Sequence, residues 1–372
     1  METVRYGVIG VGNMGSGHVT YLHQGKVKNA ELTAVCDIDQ TRLDWAKEYH
    51  PDVECYSDYN DLLRSGLVDA VIIATPHYLH PIIGIAAFEQ GIDVLSEKPV
   101  AVYTKMAYEF NRAAEKYGRA FGLMLNQRTE PAYQRMREIV QSGRLGQPKR
   151  FVWLITNWYR TQAYYDSGDW RATYAGEGGG VLMNQAPHNL DLWQWIFGMP
   201  KRIRAFAASG KFHDIEVEDD VTAYAEYENG ATATFITSTG EYPGTNRLEI
   251  SGSLGKLVYE GGKLTFTKLE EDERKYCFEA EDGYYQIPFE VIDVDTTGYC
   301  KAHRQITQNF TDHILKGTPL LAPGSDGVYG LSLANAMMES AWTNDFVELP
   351  NDGENYWRLL EKKIGTSKKK RQ

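Results

Sequence analysis

A doubly wound parallel α/β domain followed by an α+β domain on an open, mostly antiparallel sheet is the fold class this sequence predicts. Three observations predict it. Up to residue 125 the chain alternates short, unalternating apolar runs with helix-like stretches, the mark of a parallel sheet covered on both faces. The first run leads straight into Gly10-x-Gly12-x-x-Gly15. Beyond residue 126 the period changes to polar–apolar alternation with glycine turns. At roughly 150 residues per domain, 372 residues allow two domains.

The elements follow in order. Residues 3–10 (Val4, Tyr6, Val8, Ile9) read as a buried strand, and the segment after the glycines ends near Lys26. Strands at 32–36 and 69–74 stop at Asp37 and at Thr75-Pro76, with helices at 40–49 and 58–65. Two more units comprise a helix at 81–89 with a strand at 93–96, and a helix at 105–116 with a strand at 121–125. Pro131 suits a first helical position, and that helix ends near Gly143. Val221, Ala223, Ala225 and Tyr227 alternate up to Asn229-Gly230, and Ala231, Ala233 and Phe235 alternate back, a strong hairpin signature. Gly261-Gly262 marks a second hairpin between 256–260 and 263–268, and helices close the chain near 301–316 and 327–343. Domain one is therefore expected over 1–125 and domain two over 126–372.

Composition narrows the function. Hydrophobic residues make up 42% and charged residues 24%, as in folded globular chains. A formal charge of −11 repels phosphate backbones and anionic lipid, which argues against nucleic-acid and membrane partners. Cys36, Cys55, Cys277 and Cys300 show no metal, redox or disulfide spacing and fit a reducing cytoplasm. No run approaches the ~18 apolar residues of a membrane span, and residues 4–11 are too short for a signal segment. The basic SKKKRQ end reads as a solvated, frayed tail.

The glycine motif follows a buried strand, opens a helix and precedes an acidic strand end, Asp37, by 22 residues. That context predicts a dinucleotide site. Gly10, Gly12 and Gly15 let the backbone approach a pyrophosphate, Asn13 and Met14 open the helix whose free N–H groups face it, and Asp37 accepts from the adenosine ribose. A carboxylate there repels a 2′-phosphate, so NAD is favoured over NADP. His18, one turn into the helix, reads as a packed histidine. At later strand ends, where doubly wound sheets bind ligands, stand Thr75, Pro76 and His80 of ATPHYLHP and Glu97 and Lys98 of SEKPV. Lys98 falls on the nicotinamide side, and Pro99 suits a fixed, cis turn.

GVGNMG, Asp37, DAVIIATP, SEKP, the NQR at 126–128 and GGGVLMNQAPHNLDLW at 178–193 together resemble the glucose-fructose oxidoreductase / inositol dehydrogenase / MocA (Gfo/Idh/MocA) family over nearly the whole length. The resemblance implies a Rossmann first domain and NAD(P)-dependent oxidation or reduction of sugars, cyclitols and related polyols, with substrate against the open sheet of the second. It makes Lys98 and His188 the catalytic pair, and Asn126 and Arg128 cofactor or substrate contacts. In the family pattern position 184 is usually aspartate, whereas this chain has Asn184.

Removing a hydride from a secondary alcohol needs a base for the hydroxyl proton and a donor for the developing alkoxide. An imidazole suits the first role and an ammonium the second. On a helix starting after Gly180, Asn184 and His188 share a face, so the amide can orient the ring without supplying charge. Asp191 fits either a supporting partner of His188 or a surface acid, and the spacing alone gives no third ligand for a metal. Trp158, Tyr159, Tyr164, Tyr165, Trp170 and Tyr174, interleaved with Arg160 and Arg171, can stack on sugar faces and bond hydroxyls. Of these, Tyr159, Arg160, Trp170 and Arg171 are the substrate candidates, joined by His303 and, less strongly, Tyr299 ahead of a late helix. The expected activity is NAD-dependent oxidation of a secondary hydroxyl of a sugar or glycoside, with carbon 3 of a glucosyl unit as the candidate position. Rivals are a cyclitol dehydrogenase, a permanently held NAD serving transient oxidation in glycoside cleavage or transhydrogenation, and an inactive sugar or NAD sensor. A homodimer or homotetramer is expected, because an open sheet leaves one apolar face uncovered.

Overall fold

The computed structural model describes residues 2–298 and 300–367, so Tyr299 and the basic run beyond Ser367 lie outside the described residues. The chain divides into two compact units. The first holds residues 1–129, 176–178 and 301–331, and the second holds the remainder.

Six parallel strands form the first unit's sheet: β1 (Val4–Ile9), β2 (Ala30–Cys36), β3 (Glu54–Tyr56), β4 (Ala70–Ile73), β5 (Asp93–Ser96) and β6 (Phe121–Leu123), in the order β3-β2-β1-β4-β5-β6. The order reverses between β2-β1 and β1-β4, which places the glycine turn after β1 at the switch point where such sheets bind ligands. β4 is buried at every position and β1 at all but Arg5, which explains their unbroken apolar runs. Helices Asn13–His23, Gln40–Tyr49, Leu79–Glu89 and Thr104–Tyr117 fall within a few residues of their expected places.

The compact units divide the chain differently from the boundary expected at 125/126. Residues 126–129 stay with the first unit, and 301–331 return to it. Helix His303–Lys316 turns Ile306, Thr307, Phe310 and Thr311 inward. Its hydroxyls bond two buried tyrosines, Thr311 Oγ1 with Tyr6 Oη at 2.9 Å and Thr307 Oγ1 with Tyr21 Oη at 2.7 Å. Leu123 N–H donates to the Ala322 carbonyl at 3.0 Å.

The second unit is built on nine strands: β7 (Pro148–Ile155), β8 (Arg202–Ser209), β9 (Glu218–Glu226), β10 (Thr232–Ser238), β11 (Asn246–Gly252), β12 (Gly255–Glu260), β13 (Lys263–Leu269), β14 (Phe289–Val294) and β15 (Val347–Glu348). Their order is β14-β13-β12-β11-β7-β10-β9-β8-β15, antiparallel except where β7 and β10 run parallel. Both hairpins form as read: β9 and β10 join through Asn229-Gly230, and β12 and β13 through Gly261-Gly262, whose φ values of 58° and 79° suit glycine. Helices Pro131–Gln141 and Pro187–Phe197 cover one face. There Trp193 stacks between Phe151 and Phe235 at centroid distances of 5.4 and 5.7 Å. The opposite face carries Val152, Leu154, Tyr224, Ile236 and Phe206, the last 65% exposed. No helix among the described residues is long and apolar enough to cross a membrane.

Candidate active site

The first unit builds a dinucleotide cradle. Gly10 has φ 89°, and a Cβ there would stand 2.7 Å from the Ala74 carbonyl oxygen; one on Gly15 would stand 1.7 Å from the Gly10 carbonyl oxygen. A Cβ on Gly12 would meet nothing within 4 Å. The outer glycines therefore let the turn close on itself, while the middle one keeps space open beside the N-terminus of helix Asn13–His23, where Asn13 and Met14 are exposed. Asp37 ends the neighbouring strand. Its Oδ2 accepts the Val11 N–H at 2.6 Å and its Oδ1 the Asp39 N–H at 2.9 Å, which locks the carboxylate against the turn with lone pairs to spare for a ribose diol.

Two orphaned atoms test the fit of this cradle to its cofactor. Thr75 Oγ1, beyond β4, and Asn126 Oδ1, beyond β6, are buried without a hydrogen-bond partner in the protein. Buried polar atoms are normally satisfied, so a ligand that brings polar groups to this sheet edge fits them. Pro76, beside Thr75, is partly buried.

Beyond β5 the chain reads Glu97-Lys98-Pro99, with a cis Lys98–Pro99 peptide. Glu97 is buried, yet charged. Burial works against the charge, but the hydrogen bond and charge of His18, with His303 and Lys98 adding to it, hold the carboxyl down at about 2. His18 Nε2 lies 2.8 Å from Glu97 Oε1 and His18 Nδ1 lies 2.7 Å from Tyr21 Oη. Glu97 Oε2 in turn accepts the Lys98 N–H at 3.3 Å. His18 is thus the packed histidine expected, and it is also the hydrogen-bonding partner of the residue before Lys98, a role no local spacing announces. His303, expected on the substrate side, belongs to the first unit with its ring 5.7 Å from that of His18. Burial lowers its pKa, against the opposing pull of Glu97.

Two of the expected cofactor contacts are buried and bonded within the first unit. His80 is fully buried between carbonyls, Nδ1 at 2.8 Å from Pro99 O and Nε2 at 2.8 Å from Thr75 O, where it braces the loops after β4 and β5. Arg128 is 2% exposed and clamps the returning segment, donating to Asp326 at 2.7 Å and to the Leu321 carbonyl at 3.2 Å. A guanidinium buried this deeply needs an anion of its own, and Asp326 supplies it.

The second unit gathers the remaining polar groups. The helix expected after Gly180 is interrupted, because Pro187 has no N–H to continue it. Asn184 N–H and Gln185 N–H bond back four residues, Ala186 N–H reaches five back to Val181 O, and a new helix starts at Pro187. Asn184 therefore precedes the helix of His188 instead of sharing it, and its Nδ2 donates to Tyr164 Oη at 3.1 Å. His188 is partly exposed with its Nδ1 buried, and Asp191, buried on the same helix, accepts from Gln194 at 3.0 Å. Trp158 Nε1 donates to Asn189 Oδ1 at 3.1 Å.

Arg160 donates to the Trp158 and Tyr159 carbonyls at 3.3 and 2.9 Å, while Tyr159 is exposed against Tyr242. Arg171 lies over Trp170, 4.5 Å from the ring centroid, and over Tyr164 at 4.7 Å. Tyr165 and Tyr174 are core residues. His213 and Asp219 were not anticipated. Asp219 accepts the N–H groups of Lys211, Phe212 and His213 as well as His213 Nδ1, and His213 Nε2 meets the Arg160 carbonyl at 2.9 Å, fixing the segment that carries Arg160. No group of three or more His, Cys, Asp or Glu able to hold a metal ion occurs among the described residues.

The geometry of Asp37 gives an expected result. The native chain should bind NAD more tightly than NADP, and Asp37→Ser combined with Ile38→Arg, at a position 94% exposed, should shift the ratio toward NADP by about tenfold or more. Calorimetric titration with both cofactors checks it, and tighter NADP binding by the native protein would contradict the role of Asp37.

Residues 4–125 match the model described as oxidoreductase family, NAD-binding Rossmann fold, and residues 133–258 match that of the GFO/IDH/MocA C-terminal domain. The chain is 26% identical over 270 residues to the uncharacterized oxidoreductase YrbE of Bacillus subtilis (strain 168), covering 71% of this chain and 75% of that protein. It is 23% identical over 346 residues to the myo-inositol 2-dehydrogenase of Thermotoga maritima, covering 91% and 96%. Among solved structures, the WlbA dehydrogenase from Chromobacterium violaceum, in complex with NADH and UDP-GlcNAcA, superposes with a TM-score of 0.81 at 27% identity over 94% of this chain and 97% of that one.

Proposed function

Since the chain belongs to the Gfo/Idh/MocA family of NAD-dependent oxidoreductases, we propose that it oxidises a secondary hydroxyl of a sugar or glycoside to the ketone, reversibly, carbon 3 of a glucosyl unit being the position assigned. The observation that carries this reading is that Lys98 and His188 both stand in their family motifs, Lys98 beyond β5 and His188 on helix Pro187–Phe197. When bound, NAD supplies the hydride acceptor, held by Gly10, Gly12, Gly15, Asp37, Thr75 and Asn126. The chain's own groups handle the proton. His188 takes it from the hydroxyl, and the Lys98 ammonium stabilises the negative charge growing on that oxygen. Glu97 and His18, joined in the buried pair below, hold the backbone of Lys98 in place.

The test is a panel of glucosides, free sugars, myo-inositol and a UDP-linked sugar acid read by NADH absorbance, with mass spectrometry of cofactor released on denaturation. NADH formed from glucosides supports the reading. NADH from inositol alone replaces it with cyclitol oxidation, and tightly retained NAD without NADH release favours transient oxidation. Ligand binding without turnover favours a sensor. The four free thiols suit the cytoplasmic placement.

Assembly is a second expectation. With Val152, Leu154, Ile236, Tyr224 and Phe206 on its uncovered face, the nine-stranded sheet should pair with a second copy, giving a homodimer or homotetramer. Light scattering that returns a monomer at micromolar concentration would refute it.

A further inference from the structure

Arg160, half-buried in the second unit, is a cation that no carboxylate among the described residues pairs with. Its side chain meets two backbone carbonyls, those of Trp158 at 3.3 Å and Tyr159 at 2.9 Å, and two ring faces, Tyr164 and Trp158, with centroids 5.1 and 5.9 Å away. The backbone is fixed at both ends. Its N–H donates to the Thr239 carbonyl at 3.0 Å, and its own carbonyl lies 2.9 Å from His213 Nε2. Asp219, the acid behind that histidine, is fully buried and already holds three backbone N–H groups and the His213 ring.

Both carbonyls take the same nitrogen, Nη1. Nε and Nη2 keep their N–H bonds, and neither atom is sealed from solvent. Those two nitrogens form the side of the guanidinium that presents parallel N–H bonds to a carboxylate or phosphate. The edge also has an address. Trp158 donates Nε1–H to Asn189, the residue after His188, at 3.1 Å, and Tyr164 Oη lies 3.1 Å from Asn184 Nδ2, so both rings that carry the guanidinium are tied to the stretch that carries His188. Ordering a long cationic side chain costs entropy, and doing so with its bidentate edge left over suits recognition of an anion brought by the ligand.

We propose that Arg160 is the anion-binding group of the substrate site and that the sugar oxidised here carries a carboxylate or a phosphate. The proposal rests on the dehydrogenase reading above and narrows its substrate class to acidic sugars. His213 and Asp219 are positioning residues for Arg160.

The experiment uses the full chain with NAD. Methyl glucoside is the neutral reference, methyl glucuronoside adds a carboxylate, and methyl glucoside 6-phosphate and glucose 1-phosphate add a phosphate. The native chain should favour one of the acids over the reference by about 10- to 100-fold in kcat/KM. Arg160→Gln should bring that ratio to about one, and Arg160→Lys, which keeps the charge without the fork, should retain part of it. The compound that responds names the anion. A native ratio near one for every acid, or a preference that Arg160→Gln keeps, overturns the proposal and leaves the dehydrogenase reading intact. If the native chain forms NADH from no member of the panel, the dehydrogenase reading falls. Calorimetric titration of the same compounds into the NAD-loaded chain then decides the proposal by the acid-to-neutral Kd ratio alone, which should collapse in Arg160→Gln.

Discussion

His188→Ala should turn over its alcohol about 10²- to 10⁴-fold more slowly than the native chain, and Lys98→Met should lose a comparable factor, while both should bind NAD nearly as well as native. The expectation follows from proton bookkeeping: an alcohol that gives up a hydride must also lose its hydroxyl proton, and without a base and a charge-stabilising donor that step falls to water. The losses should be non-additive, because both groups serve one transition state. Steady-state kinetics of the two single variants and the double variant check both statements, and near-native turnover by His188→Ala on the true substrate would remove His188 as the base. Asn184→Asp sharpens the test. A carboxylate at 184 that reaches the imidazole would favour its charged form and move the acid limb of the oxidation rate to higher pH. A pH profile unchanged by Asn184→Asp would separate the catalytic role of His188 from any influence of position 184.

His18→Leu is the second large effect, on stability. It leaves the buried Glu97 carboxylate without its hydrogen-bonding partner, a loss of about 2–3 kcal/mol. Denaturant unfolding measures it. Glu97→Gln removes the charge as well and should cost much less, and a loss for His18→Leu no larger than for Glu97→Gln would contradict the pairing. The pair also sets a pH dependence. Because the folded-state pKa of Glu97 is depressed, from an ordinary 4.5 to about 2, its stabilisation is complete above the unfolded value and drains away as pH falls through that window. Glu97→Gln should flatten this part of the acid-unfolding curve.

The parallel sheet was legible because strands buried on both faces leave unbroken apolar runs, and the hairpins because Asn229-Gly230 and Gly261-Gly262 name their own turns. The glycine cradle and Asp37 were legible for the same local reason, their chemistry lying within a few dozen residues. What escaped was long-range. His80 and Arg128 sit at strand ends where ligands bind, and nothing nearby reveals that one is taken by two carbonyls and the other by Asp326, 198 residues away. His18 and Glu97 are 79 residues apart, and Tyr164 meets Asn184 across 20 residues that include a loop. The amphipathic helix at 303–316 showed an apolar face, but the hydroxyls of Thr307 and Thr311 that seat it on Tyr21 and Tyr6 read as ordinary polar residues. Pro187 did carry a signal, since a proline between Asn184 and His188, one residue before the latter, breaks a helical face they would share.

The return of residues 301–331 to the first unit governs the order in which the protein can be made. The six strands of that unit have all been translated by residue 123, yet the helix that supplies partners for Tyr6 and Tyr21 follows only at 303–316. At about 5–20 residues per second, a ribosome needs roughly 10–40 s to synthesise the intervening stretch. Throughout that interval the nascent unit carries an uncovered flank on which Tyr6 of β1 and Tyr21 of helix Asn13–His23 lack their threonines. The earliest part of the chain to emerge is thus among the last to be completed, and the second unit's strands are all translated, apart from β15, before the first unit can close.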